Sequence, residues 1–246
     1  GSTNHTLHLV AIAAAAGLKV TWQDMADLSE VVPLLARVYP NGVADVNHFH
    51  AAGGMGFLIR ELLESGHLHE DVKTVWGGGL SGYTVEARLL EDKLSFEPVA
   101  KESGNNKILT SVKDAFSTSG GLKLLKGNLG KSVIKVSAVK PEHRLIEAPV
   151  RVFHSQQGLQ AAFKAGELNH DMIAVVRFAG PRAVGMPELH KLTPPLSVLQ
   201  GRGFKVALVT DGRMSGASGK VPAAIHMTPY AVDGGPISKL RDGDML

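Results

Sequence analysis

Apolar and polar positions along the chain fall into two textures. Up to about residue 95 the apolar residues recur at helical spacing. From about Phe96 they gather into short β-branched runs separated by turn residues. In the first stretch, Thr6 to Ala16 is rich in Ala and Leu and is followed by Gly17, which predicts a helix and its stop. Thr21 followed by Asp24 is a capping pattern that opens a second helix. In "GGMGFLIRELLESG", Met55, Leu58, Ile59, Leu62 and Leu63 define one face of a third helix, and Gly66 follows. Its Gly-rich start leaves backbone N–H groups bare, suited either to an anion or to close packing. "KTVWGGGLSG" reads as a strand running into a loop, with a further helix from about Tyr83 to Leu90.

In the second stretch, "SVIKVSAV", "APVRVF", "MIAVVRF" and "KVALVT" read as strands, and one helix near Gln156 to Ala165 interrupts them. The expectation is an α/β part over residues 1–100 and a mainly β sandwich or barrel over 101–246. The boundary falls between 95 and 107, near "KESGNNK".

Composition narrows the chemistry. The 246 residues suffice for one large or two smaller domains, and 44% hydrophobic with 20% charged residues suits a globular chain. A net charge of +3 is too weak and too scattered to argue for nucleic acid. No apolar run reaches the roughly 18 residues of a membrane span, and no signal peptide is visible, so a cytoplasmic location is expected. With no cysteine, disulfides, thiolate zinc sites and cysteine-held clusters are impossible within this chain. The opening "GSTNHTLHLV", without a starting Met, and the close "ISKLRDGDML" predict a piece of something longer; a cloning scar is the alternative for Gly1-Ser2.

The densest chemistry follows the last strand run, in "VTDGRMSGASGKV" from Val209 to Val221. A nucleotide-binding phosphate loop is excluded there. Gly219-Lys220 would require Gly where Met214 stands, and a hydroxyl where Val221 stands. The glycines still allow close backbone approach, so an anion cradle and a tight strand-to-strand loop both remain open. Ser215 reads either as a turn residue or as a nucleophile or base whose pKa Arg213 would lower. Glu188, after Pro187, is either a solvated carboxylate in the first turn of a helix or an oxygen ligand for Mg²⁺. His48 and His50 alternate as on one face of a strand, and His5 and His8 lie a helical turn apart; neither pair has a third ligand nearby.

Several motifs together resemble one family. "GSTNH" at 1–5, "GNLG" at 127–130, "GMPE" at 185–188, "TDGRMSG" at 210–216 and "TPYAVDGGPISKLRDGD" at 228–244 are similar to stretches of the dihydroxy-acid and 6-phosphogluconate dehydratases. The resemblance covers essentially the whole chain. "SGASGKVPAAIH" looks like the 6-phosphogluconate branch, with dehydratases of unphosphorylated sugar acids as the nearer competitor. The resemblance implies part of an α/β domain followed by a swivelling-type β-barrel similar to one in aconitase. It implies loss of water from 6-phospho-D-gluconate to give 2-dehydro-3-deoxy-6-phosphogluconate, in the Entner–Doudoroff pathway. It further implies Ser215 as the base and Glu188 as a Mg²⁺ ligand. Ser2, Thr3, Asn4, Asp211, Arg213 and Lys220 would bind substrate, with Lys220 meeting the phosphate. The cofactors would be Mg²⁺ and a [4Fe-4S] cluster whose ligands lie outside this chain, which alone should be inactive. The partners would be a sugar-acid phosphate and, as full-length enzyme, a second copy in a homodimer. Rival readings are a dehydratase of a plain sugar acid or dihydroxy acid, a non-catalytic anion-binding module, and an interaction domain.

Overall fold

A computed structural model describes residues 3–214 and 219–246. The fold is mixed α/β, and the chain forms two compact units. One combines residues 1–29 with 121–246, and the other spans 30–120.

The first unit opens with α1 (His5–Ala15) and α2 (Trp22–Val31). The capping pattern at α2 is present: the Thr21 N–H and hydroxyl both donate to Asp24 Oδ2 at 2.7 Å. The second unit contains α3 (Val46–Ala51), α4 (Gly54–Glu64) and the hairpin of β1 (Val85–Leu90) and β2 (Lys93–Pro98). Its core gathers around Phe57, Leu109 and Ala52. Gly56 lets α4 approach the hairpin, since a Cβ there would lie 2.9 Å from the Val85 carbonyl oxygen.

The rest of the first unit is one six-stranded sheet. Its strands are β3 (Leu122–Gly127), β4 (Gly130–Lys135), β5 (Val150–Phe153), β6 (Met172–Val176), β7 (Val206–Thr210) and β8 (Ala223–Thr228). Their order is β3-β4-β8-β7-β6-β5. The strands from β5 to β8 pair in parallel, whereas β3-β4 and β4-β8 are antiparallel. The crossovers carry α5 (Gln156–Lys164) between β5 and β6, and α6 (Pro181–Val184) with α7 (Thr193–Gly201) between β6 and β7. Parallel strands need such crossovers, and the helices cover the sheet. Ala174, Val176 and Leu208 pack with Leu159, Leu196 and Leu199. On the opposite side Ile173, Val175 and Val209 pack with Met227, Ala231 and Ile237. All of β6 is therefore buried.

The sheet is open, with β3 and β5 outermost, and no closure into a barrel is found among the described residues. The second half is accordingly richer in helix than its sequence texture predicts. In α7, Pro194 and Pro195 stand in the first helical turn, where their missing N–H has no partner to lose. Tyr83 to Leu90 is a correction of the opposite kind. Residues 81–83 form a 3₁₀ turn, and Val85–Leu90 is a strand paired with Lys93–Pro98. Its residues are good helix formers. The two-residue turn overrides them, with Glu91 at φ 49° and Asp92 at φ 60°, the left-handed pair that closes tight hairpins. "KTVW" is not a strand.

Segment 228–244, quoted above as a motif, wraps the outer edge of β5. The Val152 N–H donates to Asp242 Oδ1 at 2.6 Å, and Arg151 reaches Asp242 Oδ2 at 2.7 Å. Arg177 Nη1 donates to the carbonyls of Ser238 at 2.6 Å and Leu240 at 2.9 Å. An edge strand with occupied N–H groups cannot recruit a foreign strand. "GNLG" is the β3–β4 turn. A Cβ on Gly130 would stand 3.1 Å from Pro229 Cδ, so the two motifs need each other's shape.

Candidate functional site

Three of the quoted motifs converge beyond the carboxyl ends of β6 and β7, where parallel sheets place their ligands. After β7 the chain runs through Asp211, Gly212, Arg213 and Met214. Thr210 Oγ1 accepts from the Gly212 N–H at 3.0 Å, which turns the chain sharply out of the strand. Gly212 is required there, because a Cβ would lie 2.9 Å from the Ala179 carbonyl oxygen and press into Leu189.

Asp211 is fully buried. Oδ1 accepts from the Ala179 N–H at 2.9 Å, in the loop after β6. Oδ2 accepts from the Ala231 N–H at 3.0 Å, in segment 228–244. One carboxylate thereby ties together three segments far apart in sequence.

Arg213 joins "TDGRMSG" to "GMPE". Its Nε donates to the Met186 carbonyl at 2.7 Å, and Nη1 meets Glu188 Oε2 at 2.9 Å. The Leu189 N–H reaches the Arg213 carbonyl at 3.3 Å, and the two backbones form a short parallel bridge at Glu188 and Arg213. Glu188 thus lies in this bridge rather than in the first turn of a helix, with its side chain 26% exposed. The start of the chain docks at the same corner. Thr3 is buried, and its hydroxyl donates to the Met214 carbonyl at 2.6 Å. The Thr6 hydroxyl donates to the Thr3 carbonyl at 2.7 Å, and Trp22 Nε1 to the Thr6 carbonyl at 2.9 Å. Asn4 follows Thr3 at the entry to α1.

Ser215 and Ser2 lie outside the described residues. Lys220 is exposed, ahead of β8, with its carbonyl accepting from Gln200 Nε2 at 3.4 Å. The structure therefore brings Thr3, Arg213 and Glu188 together at one corner, with Asp211 tied just behind it.

The histidine pairs are not a metal site. His48 and His50 lie on α3 rather than on a strand, and residues two apart on a helix do not face each other. His48 serves the helix start: its N–H donates to Asp45 Oδ1 at 3.0 Å, and its Nδ1 lies 2.7 Å from the same oxygen. His50 Nε2 lies 3.2 Å from Glu86. His5 and His8 are both exposed. Among the described residues no group of three or more His, Cys, Asp or Glu side chains could hold a metal ion.

Sequence reasoning passed over His226. It is 1% exposed, on β8, with its N–H donating to the Gly212 carbonyl at 3.1 Å. Its signal was a polar residue inside the apolar run "PAAIHMT". Burial, and next the charge of Arg213, push its pKa from 6.5 down to about 4. The unfolded chain takes up this proton near pH 6.5 and the folded chain only near pH 4. Stability from this group is complete above pH 6.5 and falls by about 3 kcal/mol as the pH drops to 4. Urea unfolding between pH 7 and pH 4 should show this slope, and His226→Phe should lack that part of it. Parallel pH profiles for the two proteins would refute the assignment.

Two family descriptions match the chain. Residues 1–83 match the N-terminal domain of the dihydroxy-acid/6-phosphogluconate dehydratases, and residues 107–246 match the C-terminal domain. A phosphogluconate dehydratase from Pseudomonas aeruginosa is 66% identical over 246 residues, and one from Escherichia coli K12 is 58% identical. A dihydroxy-acid dehydratase from Caldanaerobacter subterraneus subsp. tengcongensis is 35% identical over 250 residues. Each alignment covers 100% of this chain and between 40% and 42% of the relative, so the chain spans about two fifths of the length of these curated relatives. No helix among the described residues is long and apolar enough to cross a membrane. The motifs that meet at the Arg213 corner lie within the matched stretches, and with both domain descriptions matched in order, the chain belongs to the dihydroxy-acid/6-phosphogluconate dehydratase family.

Proposed function

We propose that this chain is part of a cytoplasmic hydro-lyase that converts 6-phospho-D-gluconate to 2-dehydro-3-deoxy-6-phosphogluconate, the dehydration step of the Entner–Doudoroff pathway. The observation that carries this reading is the identity gap. Relatives named phosphogluconate dehydratase are 52% to 66% identical across this whole chain, against 35% for the dihydroxy-acid dehydratase.

The reaction removes a proton from C2, next to a carboxylate, and hydroxide from C3. The electron pair of the C2–H bond becomes the C2–C3 double bond, hydroxide leaves with a proton as water, and the resulting enol becomes the 2-keto acid. No oxidant or reductant is needed. The C2 proton is feebly acidic, so a strong base must stand over it, and in this reading Ser215 is that base. In the same reading Ser2, Thr3, Asn4 and Arg213 bind the substrate. The Asp211 carboxylate holds the backbone that leads into Arg213 at a fixed place. Lys220 faces the 6-phosphate, whose nearly two negative charges demand a cation.

The family's cofactors set a further condition. A [4Fe-4S] cluster needs thiolates, and this chain has no cysteine, so its residues do not fit the cluster. A carboxylate such as Glu188 is the right donor type for Mg²⁺, but Oε2 already meets Arg213, and the described residues form no multi-ligand group. They do not compose a magnesium site on their own. The swivelling-barrel likeness of the second part and a homodimer of the full-length enzyme belong to the same reading.

The test is a substrate comparison on the full-length protein. Turnover of 6-phosphogluconate should exceed that of gluconate, and of a 2,3-dihydroxy acid without phosphate, by at least about a hundredfold in kcat/KM. Equal or better use of either unphosphorylated acid would reassign the protein.

A further inference from the structure

β8 carries one residue more than β4 across their pairing. Lys131 pairs with Thr228 and Val133 with Ile225, so three steps on β8 answer two on β4. A bulge of this kind re-aims a side chain and is frequent beside active sites. His226 lies in it, at φ 57°. A left-handed backbone is unfavourable for a bulky residue and persists where the surroundings impose it. The strand meets the corner described above at this point: the His226 N–H donates to the Gly212 carbonyl next to Arg213, and the ring lies edge-on to Trp22, with centroids 6.2 Å apart.

Nε2 of this buried ring has no hydrogen-bond partner. Its neighbours are engaged. Both oxygens of Asp211, the hydroxyls of Thr3 and Thr210, and Nε and Nη1 of Arg213 all have partners. Ser132 Oγ, across the bulge on β4, is also buried without a partner. Open buried polar atoms of this kind call for an explanation, and a ligand supplies one for Nε2.

We propose that His226 is a further substrate-binding residue, whose Nε2 accepts a hydrogen bond from a hydroxyl of the polyhydroxy acid held at the Arg213 corner. This rests on the dehydratase reading above. A neutral imidazole beside a guanidinium suits an uncharged hydroxyl; the guanidinium is itself the partner for an anionic group. The orphaned nitrogen is therefore kept at a cost to stability because it serves a ligand.

His226→Phe and His226→Gln in the full-length enzyme separate this from a packing role. Phe keeps the contact with Trp22 and removes the orphaned atom, whereas Gln restores an acceptor near Nε2. The expected result for His226→Phe is a urea midpoint at pH 7 no lower than the parent's, with KM for 6-phosphogluconate raised at least about tenfold. His226→Gln should recover most of that loss. In the parent, the ¹⁵N resonance of His226 Nε2 should shift on adding 6-phosphogluconate and stay in place with inorganic phosphate. Parental KM and kcat in His226→Phe, or an Nε2 resonance unmoved by 6-phosphogluconate, would overturn the inference. A parent with no turnover of 6-phosphogluconate would instead sink the dehydratase reading itself. The resonance keeps the question decidable if His226→Phe fails to fold.

Discussion

Asp211→Ala should lower the unfolding free energy of this chain by about 3 to 5 kcal/mol, the largest stability change expected from a single residue outside the apolar core. The carboxylate is fully buried and accepts two backbone N–H groups, from Ala179 and Ala231. Each bond to a charged acceptor contributes about 1.5 to 3 kcal/mol. Truncation also leaves both N–H groups buried and unpaired, and they belong to segments 52 positions apart. Asp211→Asn keeps one carbonyl oxygen but turns an NH₂ group toward a donor, so about half of the loss should remain. Urea unfolding followed by circular dichroism measures both variants. A change below about 1 kcal/mol for Asp211→Ala would show that the two bonds contribute little, leaving Asp211 free for a direct role toward substrate.

Ser215→Ala in the full-length enzyme should cut kcat by at least 10² to 10⁴, the range for loss of a general base. If Ser215 removes the C2 proton, the variant still binds 6-phosphogluconate, so KM should change much less than kcat. The described residues just before Ser215 are held through Thr210, Asp211 and Arg213, none of which is altered. The urea midpoint should accordingly match the parent's. Single-turnover exchange of the C2 proton with deuterated water gives a second readout, and it should vanish with turnover. A variant with near-parental kcat would make Ser215 a turn residue and leave the base to be found elsewhere.

How much of this was legible depends on where each residue's environment is decided. The runs "MIAVVRF" and "KVALV" form the central strands covered on both faces, and their β-branched composition announces it. The helix at Gln156 was equally plain, since Ser155 caps it and accepts from the Gly158 N–H at 3.1 Å. β1 was hidden because its residues favour helix locally, while the decision lay in the Glu91–Asp92 turn. The third helix existed as read, but its apolar face was displaced. Met55 is 58% exposed and Phe57 1%, because Gly54 and Gly56 form the contact side. For the site, sequence gave Glu188 and Arg213 separately, twenty-five positions apart. Their ion pair depends on two crossovers folding back to one end of the sheet. His226 was harder still, because its interest arises from a bulge and a missing partner, neither of which is written in local composition.

The Thr3–Met214 hydrogen bond spans 211 positions and closes a unit whose two parts flank residues 30–120. On the ribosome, at 5 to 20 residues per second, Met214 is made about 10 to 40 s after Thr3. The intervening unit is complete by then and free to fold first. The entry to helix α1 has no such option, because Met214, whose carbonyl accepts from the Thr3 hydroxyl, is still to be synthesised. The exposed, Ala-rich α1 is thus the segment through which chaperone capture or misassembly would enter during synthesis.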